Sequence, residues 1–226
     1  VGLRPVLDRA AASFDLAHSN TGARSLAVPD EELDYYLIAG TPAECLRAYH
    51  ELTGPALLPP EWAFGPWISG GFDLDSADKV RERARRIREL GFPCDVLHID
   101  TYWQRPGCWS DLEWDTEVFP DPGGLLADLA GQGFRVSLWM NPYISVDSPY
   151  FTELDANGWF LHVTSGETWT GQVWGGAQPD SAVLDLTRPG AADWLRGRVR
   201  QVLAAGVSVL KTAVRRSPWR RWRTTA

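Results

Sequence analysis

Between residues 62 and 212 the sequence alternates short apolar runs of strand length with longer segments whose apolar residues recur at helical spacing. This alternation is the strongest constraint on the fold, because successive β-α units bury their apolar faces as a parallel sheet covered by helices. Residues 62–69 read as a first strand. Asp75 and Asp78 offer caps for a helix that carries Ala77, Val80, Ala84, Ile87 and Leu90 on one face, and Gly91 ends it. Residues 94–99 form a buried-strand run ending at Asp100, followed by a long loop to Pro122, a helix over 124–130, and Gly133. Residues 134–140 give a third strand, ending at Asn141-Pro142. A helical stretch near 148–156 and a Trp- and Gly-rich insertion, placed near 159–181, precede another short apolar run at 183–186. A helix with Ala192, Leu195, Val199, Val202 and Leu203 closes at Gly206, and residues 207–210 make the fourth strand, ending at Lys211-Thr212. Four such units make half of an eightfold barrel or a small open sheet, and periodicity does not separate the two.

Polar residues at the strand ends are the first functional signal. Asp100, Asn141 and Lys211 all fall at C-terminal ends of strands, where barrel enzymes and open α/β sheets keep their sites. No glycine-rich phosphate loop follows a strand, which argues against a nucleotide site. The 29 acids outnumber the 22 bases for a net charge of −7, so no nucleic-acid partner is expected. Uncharged apolar runs fall short of a membrane span, and the histidines, cysteines and acids show no metal-ligand grouping. No metal, cofactor or membrane partner is therefore expected. Cys45, Cys94 and Cys108 are odd in number and without paired short spacing. With no signal peptide visible, they predict a reducing, cytoplasmic compartment. Twelve Trp is heavy usage, and flat aromatic faces are surfaces on which sugar rings stack.

The ends of the chain read differently. Residues 1–41 hold short alternating stretches broken by Asn20, Gly22, Pro29 and Gly40, as in the end of a β-rich domain; residues 42–61 add a helix behind Thr41-Pro42 and a Pro-rich linker. Five of the 22 bases (Arg215, Arg216, Arg220, Arg221 and Arg223) lie in residues 213–226, which contain no acid. This aberrant basic tail reads either as GC-rich coding DNA translated in a shifted frame or as an authentic basic terminus. With no Met at position 1, the chain is expected to be a fragment.

Taken in order, the segments carry a more specific pattern. They are Leu33-Asp34-Tyr35-Tyr36, Gly40-Thr41-Pro42, Leu52-Thr53-Gly54, Leu58-Pro59-Pro60, Trp62 and Phe64 to Trp67. Then come His98-Ile99-Asp100-Thr101-Tyr102-Trp103, Trp114-Asp115, Phe119-Pro120-Asp121-Pro122, Trp139-Met140-Asn141-Pro142-Tyr143 and Leu210-Lys211-Thr212. This succession resembles the family 31 glycoside hydrolases, particularly their α-xylosidase-like branch.

The resemblance implies an α/β chain holding the first half of a (β/α)8 TIM barrel over 62–212, preceded by the end of a β-sandwich domain over 1–41. It also implies a retaining hydrolase acting on α-linked sugars, of single units or oligosaccharides. Such a mechanism needs two carboxyl groups about 5 to 5.5 Å apart. By the resemblance the attacking Asp directly follows Lys-Thr, where this chain has Ala213, and the proton donor belongs to the second half of the barrel. The chain is thus expected to be truncated after the fourth strand and catalytically incomplete. A non-catalytic carbohydrate-binding or scaffold protein is the competing reading. Asp100 would accept hydrogen bonds from sugar hydroxyls, Trp139 would wall the sugar, and Lys211 would bind a hydroxyl or orient the absent Asp. Tyr102, Trp103 and Phe72 would line the site, with Trp174 or Trp169 reaching it from the insertion. Thr101-Tyr102 departs from the Cys-Phe of some α-xylosidases, which leaves the sugar open. His98 reads as a satisfied core histidine, and Glu113 and Asp115 as structural loop carboxylates. Half a barrel would expose its first and last strands, so self-association through open edges is expected.

Overall fold

The computed structural model describes residues 13–15, 25–27, 35–71 and 74–212. It divides into two compact units, Val1–Leu58 and Pro59–Ala226. In the first, β1 (Ser13–Asp15) pairs antiparallel with β2 (Ser25–Ala27), and α1 spans Pro42–Thr53. The remainder of the β-rich end expected over 1–41 lies largely outside the described residues. Thr41 and Glu44 form a reciprocal capping box at the start of α1, with Pro42 in its first turn.

In the second unit the four expected strands form one parallel sheet, β3 (Trp67–Ser69), β4 (Val96–Ile99), β5 (Arg135–Met140) and, after the later elements, β9 (Val209–Thr212), adjacent in that order. Their connections include helices α2 (Ala77–Glu89), α3 (Pro122–Gly131) and α5 (Pro189–Ala204). Ile68, Leu97, Ile99, Val136, Leu138 and Leu210 project to one side of the sheet. They pack in a single core with Val80, Ala84 and Ile87 of α2, Leu125, Leu126 and Leu129 of α3, and Val202 of α5. Burying each of the large aliphatic side chains is worth roughly 1.5–3 kcal/mol.

Two details of α2 differ from the sequence expectation. Its cap is Ser76, whose Oγ accepts from the Lys79 N–H, whereas Asp75 is buried and pairs bidentately with Arg83 at 2.9 and 3.1 Å. Leu90 ends the helix 65% exposed rather than on the core face, because it sits at the C-cap, where Gly91 turns the chain away at φ 62°.

The run at 183–186 does not join the parallel sheet. Here β8 (Ser181–Val183) pairs antiparallel with β6 (Tyr143–Ser145) and with β7 (Thr170–Gly171), so this small sheet recruits a strand ahead of residue 159. Ile144, Phe160, Ala182 and Leu184 build a second core with Leu154 of α4 (Phe151–Ala156) and Ala191 of α5. The loop between β4 and α3 also folds inward, placing Trp103, Leu112 and Phe119 in the main core.

Candidate functional site

Strand register decides what meets on the other face of the sheet. In a parallel sheet, paired residues project to the same side and residues two apart along a strand share that side. Trp67, Val96 and Arg135 are paired in one row; Ser69, His98, Ser137 and Val209 follow in the next. The third row, at the C-terminal ends, holds Trp139 paired with Lys211, with Asp100 one residue beyond the Ile99–Leu138 pair. Three of the expected site residues are thereby level with one another across three strands.

Asp100 is the hub. It is 6% exposed and caps the short 3-10 turn Thr101–Trp103. Its Oδ1 accepts from the Thr101 N–H at 2.9 Å, and its Oδ2 accepts from Lys211 Nζ at 3.0 Å and from His98 Nε2 at 3.1 Å. Burial opposes ionisation of this carboxyl, but the hydrogen bonds from His98, the Thr101 amide and Lys211, with the Lys211 charge, prevail and hold its pKa at about 2 against an ordinary 3.8. His98 is buried, as expected, and its Nδ1 lies 3.0 Å from Ser137 Oγ. An ionised carboxylate only accepts, so the His98 Nε2 facing Asp100 carries a proton.

Trp139 is buried between two edge-on indoles, with ring centroids 6.4 Å from Trp109 and 5.4 Å from Trp174. Tyr102, half-buried, meets Trp109 edge-on at 5.6 Å, and Trp174 adjoins Tyr143 at 6.4 Å. The aromatic rings thus run continuously from Tyr102 to Tyr143 beside the Asp100–Lys211 pair. Trp174 takes a left-handed backbone conformation at φ 55°, which costs a non-glycine residue energy. The buried indole N–H groups of Trp109 and Trp174 have no acceptor among the described residues.

A family model for the TIM-barrel domain of glycosyl hydrolases family 31 matches residues 56–216. The chain belongs to glycosyl hydrolase family 31. The four parallel strands are accordingly part of a (β/α)8 barrel wall, and the Asp100–Trp139–Lys211 row lies at its C-terminal end. Over 202 residues the chain is 37% identical to the α-xylosidase XylQ of Lactiplantibacillus pentosus, covering 88% of this chain and 26% of XylQ. It is 28% identical over 195 residues to an α-glucosidase of Saccharolobus solfataricus, covering 86% of this chain and 27% of that protein. Among solved structures it resembles a family 31 dextranase of Flavobacterium johnsoniae complexed with glucose. The TM-score is 0.68 at 30% identity, over 75% of this chain and 20% of the dextranase. The chain thus spans about a quarter of the length of the curated relatives it matches.

Within this family 31 segment the expected site residues separate. Asp100, Trp139, Lys211, Tyr102 and Trp174 are brought together, whereas Phe72 and Ala213 lie outside the described residues, as does the tail 213–226. Trp103 is corrected: it is fully buried, its Nε1 donates to the Trp139 carbonyl at 2.8 Å, and its ring packs edge-on against Trp114. Trp103 pins the end of β5 from within the core and has no face to offer a ligand. Of the two insertion tryptophans, Trp174 packs on Trp139, while Trp169 lies over Gly171 in the small sheet. Glu113 pairs with Arg198 at 2.7 Å and accepts from the Tyr150 hydroxyl; Asp115 accepts from the Glu117 N–H at 3.1 Å.

Sequence reasoning missed Trp109 and Ser137, and with Ser137 the link through His98 to Asp100. Ser137 has a weak signal in the strand alternation, two residues before Trp139, but its contact with His98 requires the register. Trp109 carries no periodic signal, because Gln104 holds it in an irregular loop. There the buried Gln104 amide donates to the Trp109 carbonyl and accepts from the Leu112 N–H at 2.8 Å, with Leu112 at φ 54°.

Proposed function

We propose that the protein carrying this segment hydrolyses α-linked glycosides and that Asp100, Lys211 and the Tyr102–Trp109–Trp139–Trp174 aromatic wall hold the sugar at the cleaved end. The observation that carries this reading is the Asp100–Lys211 pair at the strand ends, 3.0 Å apart in front of buried indoles. An ionised carboxylate offers about four acceptor positions, of which Asp100 uses three, leaving one on Oδ1. Lys211, half-exposed, gives one of its three N–H groups to Asp100. The pair therefore offers an acceptor beside donors, which suits neighbouring hydroxyls of a pyranose. The resemblance to an α-xylosidase at 37% identity favours xylosides over glucosides.

Titrating xylose and glucose into the chain while following Trp fluorescence tests the reading. Saturable binding at millimolar concentration, worth about −4 kcal/mol, is expected, with loss in Asp100→Ala. A linear response to both sugars, identical in Asp100→Ala, overturns it. Because Ala213 stands where the resemblance places the attacking carboxylate, the 226-residue chain itself is expected to release no aryl alcohol from aryl α-xylosides.

A further inference from the structure

His98 and Ser137 have no part in the sugar contacts proposed above, yet they form a buried polar pair directly beneath them. His98 is 5% exposed and Ser137 fully buried, and the register of β4 and β5 sets them opposite each other. A buried imidazole must have both ring nitrogens satisfied, and these have one partner each: Ser137 Oγ at 3.0 Å and Asp100 Oδ2 at 3.1 Å. Asp100 accepts and cannot donate, so the proton lies on Nε2. In the neutral ring Nδ1 then accepts from the Ser137 hydroxyl. The acceptor-only Asp100 thereby selects the tautomer, and the Ser137 hydroxyl, free to donate, matches it and holds the ring in place. Oδ2 is filled by His98 and Lys211, and Oδ1 keeps its open acceptor position.

We propose that His98, oriented by Ser137, is a positioning residue for Asp100: it holds the carboxylate ionised and fixes its rotation, so that one Oδ1 acceptor position stays free for a sugar hydroxyl. This rests on the sugar-binding role of Asp100 proposed above. Among the described residues, Lys211 is the charged group bonded to Asp100, and the Thr101 amide its remaining donor. His98 differs from Lys211 in being buried, so its hydrogen bond is not loosened by solvent.

The test uses the full chain and two readouts. The first is the 15N spectrum of the His98 ring in the unmutated protein: a proton on Nε2 is expected, and a bare Nε2 overturns the proposal. The second compares His98→Leu with His98→Gln, whose amide can still donate, by the 13C titration of the Asp100 carboxyl and by xylose affinity. His98→Leu is expected to raise the Asp100 midpoint by about one pH unit, a tenfold change in proton affinity. It is also expected to weaken xylose binding roughly three- to tenfold, as for one lost hydrogen bond. His98→Gln is expected to recover most of both. Equal loss of thermal stability in the two variants with no movement of the Asp100 midpoint would assign His98 a purely structural role. If the midpoint and the ring proton behave as stated but no sugar binds, the positioning stands and the sugar reading fails. Sugar binding unaltered by His98→Leu overturns the positioning alone.

Discussion

Lys211 Nζ on β9 meets Asp100 Oδ2 at the end of β4 at 3.0 Å, across the intervening strand β5 and level with Trp139. The two lie 111 residues apart in sequence. Their pairing brackets the C-terminal end of three strands, and it accounts for part of the low pKa of Asp100.

Asp100 should make the acid limb of stability steeper. Its folded pKa of about 2 lies below the ordinary 3.8, so its contribution is complete above about pH 4 and is lost as the pH falls through about 2. The contribution is of order 1–2 kcal/mol. Urea midpoints measured from pH 5 to pH 2 should fall less steeply in Asp100→Asn than in the parent; parallel profiles would exclude the effect.

Gln104→Leu should loosen the loop that carries Trp109. The side chain is fully buried and serves two backbone groups, the Trp109 carbonyl and the Leu112 N–H, both of which the apolar residue strands. Each stranded group costs about 1–3 kcal/mol. Faster hydrogen exchange at Leu112 and a lower denaturation midpoint are expected, while Gln104→Glu retains the acceptor and should protect Leu112 better than Leu does.

Gly190→Ala should destabilise, although alanine ordinarily favours a helix by up to about 1 kcal/mol over glycine. Gly190 sits in the first turn of α5, and a Cβ there would overlap the indole of Trp159, a rigid ring packed on the second core. Overpacking of this kind costs about 1–3 kcal/mol. Gly197→Ala on the same helix, where a Cβ meets nothing within 4 Å, is the control and should be neutral or stabilising.

Self-association should depend on the edges of the parallel sheet. Among the described residues β3 and β9 terminate it, and such edges present unpaired N–H and C=O groups. Sedimentation velocity over a hundredfold concentration range should show the mean mass rising. Ser69→Pro and Val209→Pro, each removing an edge donor, should reduce that rise if the edges mediate it; a constant monomer mass for the parent chain would rule it out.

The sequence alone carried the order and kind of the main elements, because helical and strand periodicities are local. Val80, Ala84 and Ile87 announce a buried helix face, and the run before Asp100 announces a strand, whatever surrounds them. The same locality placed Asp100, Trp139 and Lys211 at strand ends, and the ordered motifs tied them to a family. Tertiary structure decided which residues touch. His98 meets Ser137 and Lys211 reaches Asp100 only because β4, β5 and β9 pair in one register, and a slip of one residue would turn each of these side chains to the opposite face. The loop after Asp100 shows the same limit: nothing periodic marks Trp103 for the core and Trp109 for the aromatic wall. Their places are set by hydrogen bonds to Trp139 and Gln104, one of them 36 residues away, and by the space left between helices and sheet once those have packed.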